Sequence, residues 1–182
     1  MKLCIDPGHG MSNKKSGIYD SGALGTLHEE AALALVWSHE LRKACEARGI
    51  PVWMTRTDRC EATPLGSRVT RAEQAGCTHL ISLHLNDADA SSANGFETLY
   101  RTTHSQSFAE ALHEPLKVMG LRDRGVKLRT DLAVLASKHM PSALIELGFI
   151  RNAGDISIVT TDAIITQVCG LLADRLAALE PA

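Results

Sequence analysis

The sequence predicts one α/β domain over residues 1–182, with a twisted, mostly parallel or mixed central sheet flanked by helices on both faces. Short apolar runs of strand length alternate with longer stretches of helical spacing, the pattern of an α/β sheet. A chain of 182 residues suits one domain that buries a core without staples. Residues able to do chemistry fall at or just after the ends of several apolar runs, where open α/β sheets carry their reactive groups.

Taken in order, Leu3–Ile5 reads as the first strand, and it leads into Asp6-Pro7-Gly8-His9-Gly10. There the Pro and two Gly permit a sharp strand-to-loop turn with close backbone approach. Met11–Gly25, with its Gly, Ser and Lys content, reads as a loop forming one wall of a cleft. A long helix is expected from near Glu29, with Leu33, Val36, Trp37, Leu41 and Ala44 as its apolar stripe. Glu29 lies four and seven residues before Leu33 and Val36 and is expected on the inward face, with Glu30 nearer the stripe's edge. A second strand is expected at Val52–Met54 and a helix at about Leu65–Ala75. Leu80–Leu83 reads as a strand whose alternation puts Ser82 and His84 on one side. Asp87–Asn94 reads as a surface loop, Phe96–Tyr100 as a strand and Ser107–Met119 as a helix. Strands are expected at Leu132–Leu135 and Ala143–Leu147. Thr161 or Asp162 should then cap a last helix through Ile165, Val168, Leu171, Leu172 and Leu176.

Composition removes several function classes. The chain is 45% hydrophobic and 22% charged, which favours neither disorder nor a membrane protein, and no apolar run approaches the roughly 20 residues that span a bilayer. A net charge of −2 without clustered Lys and Arg in the motif segments argues against nucleic acid as a partner. Five cysteines without a CxxC spacing disfavour a disulfide framework and a thiolate zinc knuckle. Cys4 and Cys169 read as core thiols and Cys60 as more exposed. The first motif follows Met1-Lys2 too closely for a secretory signal, so synthesis in the cytoplasm is expected, as is a monomer.

The chemistry sits in three blocks and a helix start. His9, His84 and Glu29 supply two imidazoles and a carboxylate, and Glu146 supplies a spare carboxylate. Two His and one Glu with a fourth position left to water is a catalytic zinc set, and a further Glu suits proton transfer. Each has a plainer reading: His9 as a turn residue, His84 as a satisfied polar strand end. Glu146 resists one, because it interrupts Ala143-Leu144-Ile145-Glu146-Leu147, where an ionised carboxyl is costly without a counter-charge. His28, His39, His79, His104, His113 and His139 show no ligand spacing.

Asp6-Pro7-Gly8-His9-Gly10, Leu27-His28-Glu29, Ser82-Leu83-His84-Leu85-Asn86 and Glu146-Leu147-Gly148-Phe149-Ile150-Arg151-Asn152 resemble the signature blocks of the zinc-dependent N-acetylmuramoyl-L-alanine amidases of the amidase_3 family. Met54-Thr55-Arg56, Ser67-Arg68-Val69, Gly95-Phe96-Glu97-Thr98 and Asp123-Arg124-Gly125-Val126-Lys127 match supporting blocks. The resemblance implies one Zn2+ per chain on His9, Glu29 and His84, with Glu146 as acid and base. It implies peptidoglycan as substrate, cut between the lactyl group of N-acetylmuramic acid and L-Ala of the stem peptide. Leu85 for a usual Ala, Arg151 for a usual Ser, and Glu30 beside Glu29 depart from the pattern; the last leaves the register open by one residue. Arg124, Lys127 and Arg129 are candidate contacts for stem-peptide carboxylates or else a solvated basic face. Some family members carry an inserted helix over the zinc. Tyr100 to Val126 has room only for a scaffold helix, so an open site is expected. A phage endolysin, stored in the cytoplasm and released to the wall, is the expected setting. A bacterial autolysin or division amidase is the alternative, ahead of a zinc carboxypeptidase-like peptidase or an inactive peptidoglycan-binding module.

Overall fold

Strand alternation sorts the first apolar run onto two faces, and the rest of the chain follows that division. The structure, a computed structural model, describes residues 1–90 and 92–179. Strand β1 (Leu3–Pro7) is buried along its length. A two-stranded ribbon follows, β2 (Gly10–Met11) against β3 (Tyr19–Asp20), within the segment expected as loop. Helix α1 (Glu30–Glu46) returns the chain to β4 (Val52–Met54). A 3-10 turn at Leu65–Ser67 leads into α2 (Arg68–Gln74), and β5 (His79–Asn86) and β6 (Phe96–Tyr100) come next. Helix α3 (Thr103–His113) tightens into a 3-10 turn at Glu114–Met119 before β7 (Asp123–Leu128). A third 3-10 turn at Ala133–Leu135 precedes β8 (Ser142–Phe149), α4 (Ala153–Val159) and α5 (Asp162–Ala178). In the expected loop 87–94, residue 91 lies outside the described residues, as do residues 180–182 of the domain; the others in 87–94 form no helix or strand.

The main sheet runs β4-β1-β5-β8-β6-β7. β4, β1, β5 and β8 are parallel, β6 is antiparallel to β8, and β7 is parallel to β6. Leu3, Ile5, Ile81, Leu83, Ile145 and Leu147 pack on one face with Leu33, Trp37 and Leu41 of α1, Phe108 and Leu112 of α3, and Val168 and Leu172 of α5. Cys4, Leu80, Leu99 and Leu144 face the other way, against Ala72 of α2 and Val134 and Leu135. Helical elements therefore cover both faces, and the mixed α/β fold is as the sequence predicts. Among the described residues no single helix is long and apolar enough to cross a membrane.

Three expectations need correction. Leu132–Leu135 is no strand: its apolar side chains fill the second core from a 3-10 turn, which periodicity cannot distinguish from a strand over four residues. The edge position belongs to β7, whose Asp-Arg-Gly-Val-Lys-Leu sequence is charged and half-exposed, as edges are. The α1 stripe is also shifted. Glu30, Leu33, Ala34, Trp37, Ser38 and Leu41 are buried, while Val36 is 51% exposed. Thr161 does take the N-cap position of α5, but its hydroxyl donates to Ser157 O rather than capping. Four cysteines are buried, Cys60 is exposed, and all five are free thiols.

Candidate metal centre and active site

β1, β5 and β8 end side by side, and their carboxyl ends deliver the polar groups. His9 follows β1 in the left-handed region at φ 59°, with Gly10 at φ 101°, so the turn swings the imidazole back over the sheet edge. His84 lies beside Glu146 in the β5–β8 register, and Glu146 lies beside Glu97 in the β8–β6 register. The cluster's carboxylate comes from α1, and it is Glu30. Its Oε1 is 3.0 Å from His9 Nε2 and 2.8 Å from His84 Nδ1, and one ligand atom from each of the three lies within 4.8 Å of the others.

Glu29 points elsewhere. It occupies the N-cap of α1 in an extended conformation, accepts from Tyr19 Oη at 3.2 Å and lies 3.3 Å from an Arg59 amine. Glu30 shares the buried face of Leu33, Trp37 and Leu41, whereas Glu29 precedes the helix in an extended conformation. Where Glu29 is expected beside the two histidines, the structure places Glu30 there.

Two glycines make room for this packing. A Cβ at Gly8 would sit 2.4 Å from His84 Cε1, and one at Gly22 would sit 2.6 Å from Glu30 Oε2 and 2.7 Å from His9 Cδ2. Glu30 is further held by the amides of Ala23 and Leu85. Burial opposes its ionisation, but the bonds to His84 and His9 outweigh this and hold its carboxyl far below the usual carboxylate range. His9 Nδ1 lies 3.0 Å from Asp20 Oδ2, which also accepts from Asn13 Nδ2 at 2.7 Å. A carboxylate there fixes the proton on Nδ1 and leaves Nε2 free to face the cluster. Burial works against a charge on His9, yet Glu30 and Asp20 raise its pKa above the ordinary imidazole value. Sequence reasoning missed Asp20, which carries no motif of its own.

Two imidazole nitrogens and a carboxylate oxygen converging on one point form a donor set that suits zinc. Both nitrogens face the same Oε1, an arrangement that calls for a cation between them or for protons on the rings. The residues fit the metal that the resemblance implies.

Glu146 lies within β8 and is part-exposed, but its Oε2 is buried without a hydrogen-bond partner among the described residues. Burial, then the negative charges of Glu30 and Glu97, push its pKa well above the ordinary value against a smaller opposing effect of Arg129. Glu97 is ionised beside it: burial opposes this, but Lys127 Nζ at 2.5 Å and Arg124 Nε at 2.8 Å outweigh it. Those two cations are thus engaged by the protein itself, and Arg129 pairs with Asp131. The candidate substrate cations of the sequence are part-exposed and paired with Glu97 or Asp131.

The site is open. A cleft of about 230 Å³ runs between His9 and His84 on one side and the 131–134 turn on the other. The one α-helix between Tyr100 and Val126, α3, buries Phe108 and Leu112 in the core, as a scaffold helix does. A larger hollow of about 360 Å³ between residues 26–28 and 150–157 holds no converging ligand atoms among the described residues.

The sequence and the fold are similar to those of known proteins. The chain is 36% identical over 161 residues to the N-acetylmuramoyl-L-alanine amidase LytC of Bacillus subtilis, covering 85% of this chain and 30% of that protein. It is 31% identical over 174 residues to the amidase CwlM of Bacillus licheniformis, covering 92% of this chain and 64% of that one. It thus spans less than two thirds of either relative. The solved catalytic domain of CwlV, an N-acetylmuramoyl-L-alanine amidase from Bacillus (Paenibacillus) polymyxa, superposes with a TM-score of 0.87 at 28% identity, covering 98% and 97% of the two chains. A family model described as N-acetylmuramoyl-L-alanine amidase matches residues 3–177, and with the mixed sheet and its His9–Glu30–His84 edge the chain belongs to that family.

Proposed function

We propose that this chain is a zinc-dependent amidase that cleaves peptidoglycan between the lactyl group of N-acetylmuramic acid and L-Ala of the stem peptide. The observation that carries the reading is the partnerless, buried Oε2 of Glu146 beside a convergent two-His, one-Glu set. His9, Glu30 and His84 would hold the ion. Zinc in such a set supplies a Lewis acid that acidifies water and polarises a carbonyl.

The remaining steps belong to the chain's own groups. Glu146 takes a proton from the attacking water as its oxygen bonds to the carbonyl carbon. It returns that proton to the L-Ala nitrogen as the C–N bond breaks, without which an amine leaves poorly. Burial and the neighbouring charges of Glu30 and Glu97 hold this proton more tightly than an ordinary carboxyl does, toward the affinity that transfer near neutral pH requires. Asp20 keeps the His9 ring in one tautomer and orientation. The open cleft admits a polymeric substrate from the side.

Mass spectrometry of peptidoglycan digests tests this. Free stem peptides beginning at L-Ala, lost on chelation and restored by zinc, are expected; intact glycan–peptide linkages under saturating zinc would sink the reading. The setting we propose is wall cleavage by a monomer, since one chain supplies every group named. Delivery is either bacterial wall remodelling or phage lysis from the cytoplasm, and the amidase relatives from Bacillus favour the first. Expression inside a cell, followed by membrane permeabilisation, separates them: lysis confined to permeabilised cells is the phage result.

A further inference from the structure

Arg56 is fully buried and has no acidic side chain bonded to it among the described residues. Its guanidinium donates instead to four carbonyls: Pro7 O at 3.2 Å, Gly8 O at 2.8 Å, Ala31 O at 2.8 Å and Asp58 O at 3.4 Å. Pro7 and Gly8 immediately precede His9, and Ala31 immediately follows Glu30. One rigid fork therefore joins the two backbone segments that carry two of the three candidate ligands. Gly10 closes the arrangement: a Cβ there would lie 2.8 Å from Arg56 Nε, on a backbone at φ 101°. Arg68 ties the loop to a different segment, holding Asp6 Oδ1 at 2.7 Å, His9 O at 2.6 Å and Thr63 O at 3.1 Å. His9 sits in a sparsely populated backbone region that persists only where its surroundings over-determine it.

We infer that Arg56 is a positioning residue that sets the separation of His9 and Glu30, and so the affinity and geometry of the metal centre, through hydrogen bonds to main-chain carbonyls. A planar guanidinium spans both segments at once, whereas an ammonium is a compact point charge on a single stem. The inference rests on the zinc reading above.

The test compares wild type, Arg56→Lys and a core control, Leu172→Ala, which lies in α5 away from the cluster. Zinc affinity is measured by chelator competition, and coordination by the visible spectrum of the cobalt(II)-substituted protein. Arg56→Lys should weaken zinc binding about tenfold or more and change the cobalt spectrum, while Leu172→Ala lowers Tm with both readouts as in wild type. Zinc affinity and cobalt spectrum unchanged in a destabilised Arg56→Lys would overturn the inference and leave Arg56 a fold residue. If Arg56→Lys does not fold, Gly10→Ala, which crowds the same guanidinium, takes its place under the same criteria. Failure of wild type itself to bind zinc would instead remove the underlying reading.

Discussion

Glu146 combines the features a proton carrier needs with those that make a residue a burden on the fold. Its folded pKa lies above the unfolded value, because burial and two neighbouring carboxylates oppose its charge. As pH rises past the unfolded carboxyl pKa of about 4.3, the unfolded chain ionises first, so the group subtracts stability up to its folded pKa. Glu146→Gln should therefore stabilise the metal-free protein at pH 7 by about 1 kcal/mol, within the usual gain on relieving a strained site. The same change should lower kcat by about 10²- to 10⁴-fold with zinc still stoichiometric. Urea titration beside metal analysis checks both, and loss of zinc together with activity would make Glu146 a ligand or a structural group. At the helix start, Glu30→Gln should weaken zinc binding by at least about tenfold, while Glu29→Gln, whose side chain bonds Tyr19 and Arg59, should leave it unchanged. The sequence places a carboxylate at this point but not its phase. Residues 29 and 30 are both Glu, and the choice depends on where the first helical turn closes.

Between residues and the whole fold lie the elements that present them. The loop after β1 is held from beneath by Asp6, which accepts from Thr55, Ser82 and Arg68 and is almost fully buried. Burial opposes its ionisation, but Arg68 and the Thr55 and Ser82 hydroxyls together outweigh this and lower its pKa. A depressed folded pKa gives stability that is present above the unfolded value of about 3.9 and lost as pH falls through the folded one. Asp6→Asn should cost about 3 kcal/mol at pH 7 by leaving Arg68 uncompensated, and should flatten the loss of stability that wild type shows below about pH 4; an unchanged acid limb in urea melts followed from pH 6 to pH 2 would count against the pair. At this scale the sequence is readable where burial is complete. β1, β5 and β8 are apolar enough to stand out; His9 follows β1 as expected, while His84 and Glu146 lie side by side within strands that run past the expected ends. β7 escaped because an edge strand has a polar side, and α4 because seven residues of Ala-Gly-Asp-Ile-Ser-Ile-Val carry little helical period. The 131–134 turn escaped for the opposite reason: it is apolar like a strand, yet it bends to form the cleft wall.

Across the whole molecule, the candidate ligands come from the β1 loop, α1 and β5, so one ion would tie together elements far apart in sequence. Asp20, Arg56 and Glu97, which orient or charge the site, were not legible as functional because their roles exist only through partners that folding brings near. An ion that binds the folded chain and not the unfolded one stabilises it by about 2.7 kcal/mol at a free concentration one hundred times Kd. For a domain of this size each kcal/mol moves Tm by roughly 2–4 °C, so zinc should raise the midpoint by about 5–10 °C over the chelated protein. Glu30→Gln should lose most of that increment and Glu29→Gln should keep it, since only Glu30 reaches the two histidines. Calorimetry of the three proteins with and without chelator reads the result directly. Equal midpoints for loaded and chelated wild type would mean that His9, Glu30 and His84 converge without holding a metal, and a zinc increment retained by Glu30→Gln but lost by Glu29→Gln would return the ligand to the helix cap.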